Sequence, residues 1–194
     1  MEALRDKEKF IAYLTRINPL SPRAKETIAD LCSSVNTQKN QDLQSIGQTC
    51  RTIYFVQKGI ARIYYYKDDK DITEYFAFEN DLIVRAESLF TGNPSHKGIQ
   101  AIDNTVFVAI PARPLFDLFD GHHDIERLFR KIVERSYVDT INRLESLQFN
   151  SAEERYRSLL DKSPSMVRDI PLKYIASYLG ITQVSLSRIR ANID

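Results

Sequence analysis

The side chains whose types and spacing bear most directly on chemistry lie near the C-terminus. Two short helices are predicted there, about Leu172 to Leu179 and Thr182 to Asn192, with Ile175, Ala176, Leu179, Gly180, Ile181, Leu186 and Ile189 where a helix-turn-helix needs them. Ala176 is small where the second helix crosses close to the first. Gly180 permits the positive φ of a tight turn after a helix, which is costly for a residue with a β-carbon. The five larger apolar residues form a small core that fixes the crossing angle, and Thr182 caps the second helix. The exposed face of that helix then shows Gln183, Ser185, Arg188 and Arg190 in place of acids. In a DNA major groove Gln pairs with adenine and Arg with guanine, while Ser185, Arg190 and Lys173 suit phosphates. Ala and Gly at this spacing also occur in helical hairpins that only pack, so that reading stays open beside DNA recognition.

Other reactive residues are sparse. Cys32 and Cys50 are the two cysteines, with no C-x-x-C pair and no histidine at metal-ligand spacing, and they read as buried free thiols. His96, His122 and His123 are scattered without acidic or cysteine partners, so neither a metal site nor a cofactor is expected. Without a nucleophile elbow, Walker loop or paired-carboxylate motif, the chain does not read as an enzyme. With 27 Lys and Arg against 26 Asp and Glu, the net charge of +1 argues against nucleic-acid binding over the whole surface, and any such contact must be local.

The elements that must position these residues follow from periodicity. The chain has 194 residues, 43% hydrophobic and 27% charged, enough for one compact unit or a medium unit with a small partner, and it excludes disorder, collagen and coiled-coil rods. Its opening mixes both charge signs, and its longest apolar run, Val106 to Ala112, is far short of a membrane span, so a cytoplasmic protein with no membrane partner is expected. Met1 to about Asp30 reads as two helices, the second capped by Ser21 with Pro22 in its first position. From about Val35 to Pro111 the texture is that of barrel or sandwich strands, clearest at Thr52–Gln57, Gly59–Lys67, Lys70–Phe78 and Thr105–Pro111. Lys67 to Lys70 is a hairpin turn and Gly59 marks another. Tyr64, Tyr65 and Tyr66 read as an aromatic strand with one wet face rather than a stacking platform for bases.

After Pro114, Ile125, Leu128, Phe129, Ile132, Val133, Tyr137, Ile141, Leu144 and Leu147 recur at helical steps, giving a helix of some two dozen residues, about 36 Å long. One side can cover the barrel. The rest, with Leu128, Ile132, Tyr137, Ile141 and Leu144 as its face, can pair with a second chain, or the whole stripe can cover its own barrel. Ser151-Ala-Glu-Glu154 has capping-box spacing and opens a helix to about Lys162. The expected domains are residues 1–120, a β-barrel with flanking helices; 121–150, the long helix; and 151–194, the helix-turn-helix.

Over most of its length the chain resembles the Crp/Fnr superfamily of bacterial transcription regulators, and it looks like the short members of Bacteroidetes-type bacteria. The likeness is strongest over Ser151-Ala-Glu-Glu-Arg-Tyr156, Ile170-Pro-Leu-Lys-Tyr-Ile-Ala-Ser-Tyr-Leu-Gly-Ile-Thr182 and Leu186-Ser-Arg-Ile-Arg190. It implies an α+β fold: an N-terminal cyclic-nucleotide-binding jelly-roll barrel with flanking helices, a long helix forming a parallel homodimer seam, and a small C-terminal DNA-binding domain. Duplex DNA, a second copy and RNA polymerase are the implied partners. Gln183 and Arg188 sit where the family reads bases, and Val184 falls where many members place an acidic reader.

The departures shape the expected function. Where nucleotide-binding members have a Gly-Glu-Leu step and then an Arg-Ser-Ala step, this chain has Leu82-Ile-Val-Arg-Ala-Glu-Ser-Leu-Phe90 and Pro94-Ser-His-Lys-Gly98. The ribose-binding Glu matches Glu87 only with a one-residue shift. His96 and Lys97 replace the phosphate-binding Arg and Ser, and the adenine-contacting positions fall on Thr140 and Ile141. Lys97 is a weaker point-charge substitute for a bidentate guanidinium, so no tight cyclic-AMP binding is expected and the effector is unidentified. The chain stops four residues past Arg190, so no β-hairpin wing is expected, and with fewer phosphates neutralised DNA binding should be weaker and less salt-sensitive. The expected function is a homodimeric, sequence-specific DNA-binding regulator. The alternative is a ligand-binding or protein-interaction module whose degenerate helix-turn-helix no longer binds DNA.

Overall fold

The computed structural model describes residues 2–162 and 164–193. Two helices open the chain, α1 (Glu2–Ile17) and α2 (Pro22–Leu31). Ser21 caps α2 as expected: its Oγ accepts the Ala24 N–H at 3.2 Å, and Pro22 fills a first-turn position whose missing N–H costs nothing.

Eight strands follow, β1 (Ser33–Thr37), β2 (Asp42–Gln44), β3 (Thr52–Lys58), β4 (Ala61–Lys67), β5 (Lys70–Ala77), β6 (Leu82–Ile83), β7 (Gly98–Ala101) and β8 (Thr105–Pro111), with α3 (Ala86–Thr91) between β6 and β7. They form two antiparallel four-stranded sheets of order β1-β8-β3-β6 and β2-β7-β4-β5, a jelly-roll-like sandwich. The β4–β5 hairpin closes through Asp68 and Asp69, at φ 50° and 58°, the mirror-image turn that matches strand twist. Gly59 turns β3 into β4 at φ 97°, and a β-carbon there would stand 2.7 Å from Thr105 Oγ1. Val56, Ala61, Ile63, Ala77, Ile83, Ile99 and Phe107 form a buried cluster of this sandwich. Tyr64 and Tyr66 share one face of β4, their ring centroids 5.8 Å apart, and Tyr64 is buried while Tyr66, nearer the hairpin turn, is 63% exposed, so exposure follows position along the strand and not alternate faces.

After α4 (Ala112–Asp117), the long helix α5 (His123–Phe149) spans 27 residues, about 40 Å. Its first turns belong to the subunit's own core: Ile125 and Leu128 are 1% and 3% exposed, clustered with Phe10, Leu14, Ile28, Phe55, Val108 and Leu115. Leu128 is therefore not available as a seam residue, and Ile132 packs against the same cluster. The stripe comes free further on. Val133, Tyr137, Val138, Leu144, Leu147 and Phe149 are 39–78% exposed.

The last four helices are α6 (Ala152–Lys162), α7 (Pro164–Asp169), α8 (Leu172–Leu179) and α9 (Gln183–Ile193). The capping box at the head of α6 is reciprocal: Glu154 Oε2 accepts the Ser151 N–H at 2.7 Å and Ser151 Oγ accepts the Glu154 N–H at 3.2 Å. These helices share one core with the barrel. Tyr156, Leu159, Val167, Ile170, Ile175, Leu179 and Leu186 cluster with Ile60, Phe76, Phe78 and Ile102. Among the described residues no helix is long and apolar enough to cross a membrane.

Candidate nucleic-acid interface and sensor cluster

The turn between α8 and α9 follows from Gly180. At φ 70° it lets its own N–H reach Ser177 O at 3.1 Å and the Ile181 N–H reach Ala176 O at 3.0 Å, the paired bonds of a Schellman end. Thr182 Oγ1 then accepts the Ser185 N–H at 3.1 Å and caps α9. Leu186, fully buried, anchors α9 to the shared core, with Ile181 and Ile189 packed against it. What remains outward is polar: Thr182, Gln183, Ser185, Ser187 and Arg188 are exposed and Arg190 is half-buried. Val184, 62% exposed, sits among them. Lys173 is exposed on α8, its Nζ 4.8 Å from the Tyr174 ring centroid. From Ile170 to Ile193 the chain carries Lys173, Arg188 and Arg190 and no Asp or Glu, so this end is locally basic although the whole chain is near neutral.

The sheet edge holds α8 in place. β5 is an edge strand, and its Thr73 N–H, which an edge would leave unpaired, donates to Ser177 Oγ of α8 at 3.0 Å. Beside it Arg62, 1% exposed, is clamped on all sides. Its NH1 donates to Asp71 Oδ1 at 2.6 Å and Thr73 Oγ1 at 3.1 Å, its NH2 to Asp71 Oδ2 at 2.8 Å and Gln100 Oε1 at 2.7 Å. The guanidinium lies 3.6 Å from the Tyr174 ring centroid on α8 and 4.7 Å from that of Tyr64. From the other side Arg143 of α5 donates to Tyr178 O at 3.0 Å and stacks at 3.8 Å on the Tyr178 ring, which packs on Phe76 of β5. Helix α5, the barrel and α8 are thus joined through two arginines. Neither arginine stands out in the sequence, because what marks them is the pairing of residues far apart in the chain.

The four expected effector residues make no hydrogen bond to one another. Glu87 and His96 are exposed. Thr140 is exposed too, and its hydroxyl turns back on its own helix to Ser136 O at 2.8 Å. Only Lys97 enters a polar cluster, donating to Glu74 Oε1 at 2.7 Å. The other cation there is Arg85, unforeseen, whose NH1 lies 3.3 Å from Glu74 Oε2 and whose Nε–H donates to Ser95 Oγ at 3.3 Å. A cavity of about 730 Å³ lies elsewhere, lined by Lys9, Tyr13 and Arg16 of α1, Asn80 and Arg135 of α5 among others.

Both cysteines are buried free thiols, and burial pushes the Cys32 thiol up to about 12, which leaves it inert.

Residues 34–122 match the family described as the cyclic nucleotide-binding domain. The matched stretch runs from β1 to the residue before α5 and so takes in the whole barrel. Similar solved structures extend the likeness beyond it. FixK2 from Bradyrhizobium japonicum is 17% identical with a TM-score of 0.70, covering 84% of this chain and 84% of its own. A protein described as a transcriptional regulator of the crp/fnr family from Eubacterium rectale is 20% identical, with a TM-score of 0.67 over 89% of this chain and 83% of its own. The c-di-GMP responsive global regulator CLP of Xanthomonas campestris is 16% identical, with a TM-score of 0.66 over 87% and 89%. No curated protein matches the chain in sequence. At these identities what the chain shares with them is a fold.

Proposed function

We propose that the chain is a Crp/Fnr-type transcription regulator that binds duplex DNA as a homodimer, with α9 entering the major groove. The observation that carries this reading is the outer face of α9: Gln183, Ser185 and Arg188 exposed on a helix whose inner face is fixed by buried Leu186. Gln183 and Arg188 are the proposed base readers, with Thr182, Ser185, Lys173 and Arg190 on the backbone. The absence of acids from Ile170 to Ile193 supports a local basic footprint.

The free stripe of α5 supports the dimer. Tyr137, Val138, Leu144 and Leu147 form an exposed apolar face at helical spacing, with Ile141 half-buried between them, and this is the proposed seam with the same helix of a second copy. A twofold pair would set the two α9 helices against half-sites about 34 Å apart. The sensor barrel is proposed not to respond to cyclic AMP. What supports this is that Glu87, His96 and Thr140 are exposed and that the charge of Lys97 is already met by Glu74.

The rival reading, an interaction module whose helix-turn-helix only packs, is favoured by the near-zero net charge and by the burial of α8 against β5. Titrating random-sequence duplex with the protein over a range of salt separates them. DNA binding predicts association at low salt that weakens linearly in log–log form as salt rises; no association at the lowest salt would leave the packing module.

A further inference from the structure

Leu186 is fully buried and fixes which side of α9 faces the core. At about 100° per residue, Val184 and Arg188 stand about 160° from Leu186, one on either side, so they are the outermost side chains of the first two turns. Val184 is 62% exposed and belongs to none of the buried clusters. Valine also lowers helix propensity relative to alanine, so the helix gains nothing by holding it there. The neighbouring hydroxyls are engaged with their own helix: Ser187 Oγ donates to Gln183 O at 3.0 Å, and Thr182 Oγ1 and Ser185 Oγ lie 3.0 Å apart. Arg188 has no ion-pair partner among the described residues. What projects furthest from α9 is therefore an isopropyl group one turn from an unpaired guanidinium.

We infer that Val184 reads the C5-methyl of a thymine, so that each half-site carries a thymine within about two base pairs of the guanine paired with Arg188. This deepens the DNA-binding reading above and rests on it. The C5-methyl is the apolar group that base edges present in the major groove, and only thymine carries it. A β-branched side chain on a helix is held largely in one χ1 rotamer, so Val184 meets a methyl with little entropy to lose. An acid in its place would accept from the cytosine amino group, so the valine changes which base is read and not only how tightly. The spacing follows from the helix: four residues rise about 6 Å, close to two base-pair steps of about 3.4 Å.

The test uses the full chain and a duplex that wild type selects from a randomised pool. Each thymine is replaced in turn by deoxyuridine, which removes the methyl and keeps the base pair. At one position per half-site the replacement should weaken wild type about fourfold, as expected for one buried methyl. At that position 5-methylcytosine should bind about fourfold better than cytosine. Val184→Ala should bind the thymine duplex about fourfold more weakly and show no difference there between thymine and deoxyuridine. It should melt no lower than wild type, since alanine is the better helix former. A deoxyuridine scan that is flat in wild type overturns the inference. So does an equal penalty in Val184→Ala, which would mean that the methyl acts through duplex shape. If wild type selects no duplex, the regulator reading falls and this assignment with it; a selected duplex with a flat scan removes the assignment alone.

Discussion

Replacing Arg62 by Met tests how firmly the barrel holds α8. The guanidinium is 1% exposed and makes five hydrogen-bond contacts, to Asp71, Thr73 and Gln100. Removing one partner of a buried ion pair costs about 3–5 kcal/mol, because the other charge is left without its counterion. Asp71, 26% exposed at its side chain, recovers part of its hydration, so the lower end applies, about 3 kcal/mol. Loss of the stack on Tyr174 adds about 1 kcal/mol. The total of about 4 kcal/mol corresponds to a fall of roughly 8–16 °C in Tm for a chain of this size. Asp71→Leu should cost about as much, since it strands a buried cation. The double variant Arg62→Met/Asp71→Leu should cost only about 1–2 kcal/mol, because an apolar pair replaces an ionic one. Chemical denaturation of the four proteins gives the coupling, and hydrogen exchange over Leu172–Leu179 should quicken in Arg62→Met. Costs that add within about 0.5 kcal/mol would show that no coupled pair exists there and would refute the reasoning.

Two further outcomes are expected. Leu144→Lys/Leu147→Lys, at positions 50% and 42% exposed, should leave helicity unchanged and convert a dimer to monomer by sedimentation; a persistent dimer would move the seam elsewhere. At the head of α5, desolvation of Asp124 is outweighed by N–H donors, Ser21 at 2.8 Å and Ile125 at 3.1 Å, which hold its carboxyl below the ordinary carboxylate value. A depressed folded-state pKa gives stability that is complete above the unfolded value and is lost as pH falls through the folded one. The stability gap between wild type and Asp124→Asn should therefore narrow on acidification below about pH 4; a gap independent of pH would exclude Asp124 as the source.

The parts of the fold legible in the sequence were those set by local chemistry. The Ser21 cap, the Asp68-Asp69 turn, the Ser151/Glu154 capping box and the Gly180 turn each depend on residues within a few positions of one another, so spacing alone reveals them. The short strands β2 and β6 and helix α7 carry too few residues for a period to show, and α7 opens at Pro164. The stripe of α5 was visible, but not its division, because which turns bury depends on where α1 and α2 pack. The outer face of α9 was read from its own sequence. The effector residues come from likeness instead, and of them Lys97 alone joins the Glu74 cluster while Glu87, His96 and Thr140 are exposed. A one-residue bulge at Glu74 and the pairing of Arg85 across two loops decide that cluster, and neither leaves a local signature.

The central claim is that α9 reads base edges, and the most direct measurement compares Gln183→Ala, Arg188→Ala and wild type on a duplex selected by wild type from a randomised pool and on a scrambled duplex. Each variant should lose about 1–3 kcal/mol, roughly 5- to 150-fold, on the selected duplex, with the scrambled affinity little changed. Equal affinities for the selected duplex across all three proteins would contradict the account.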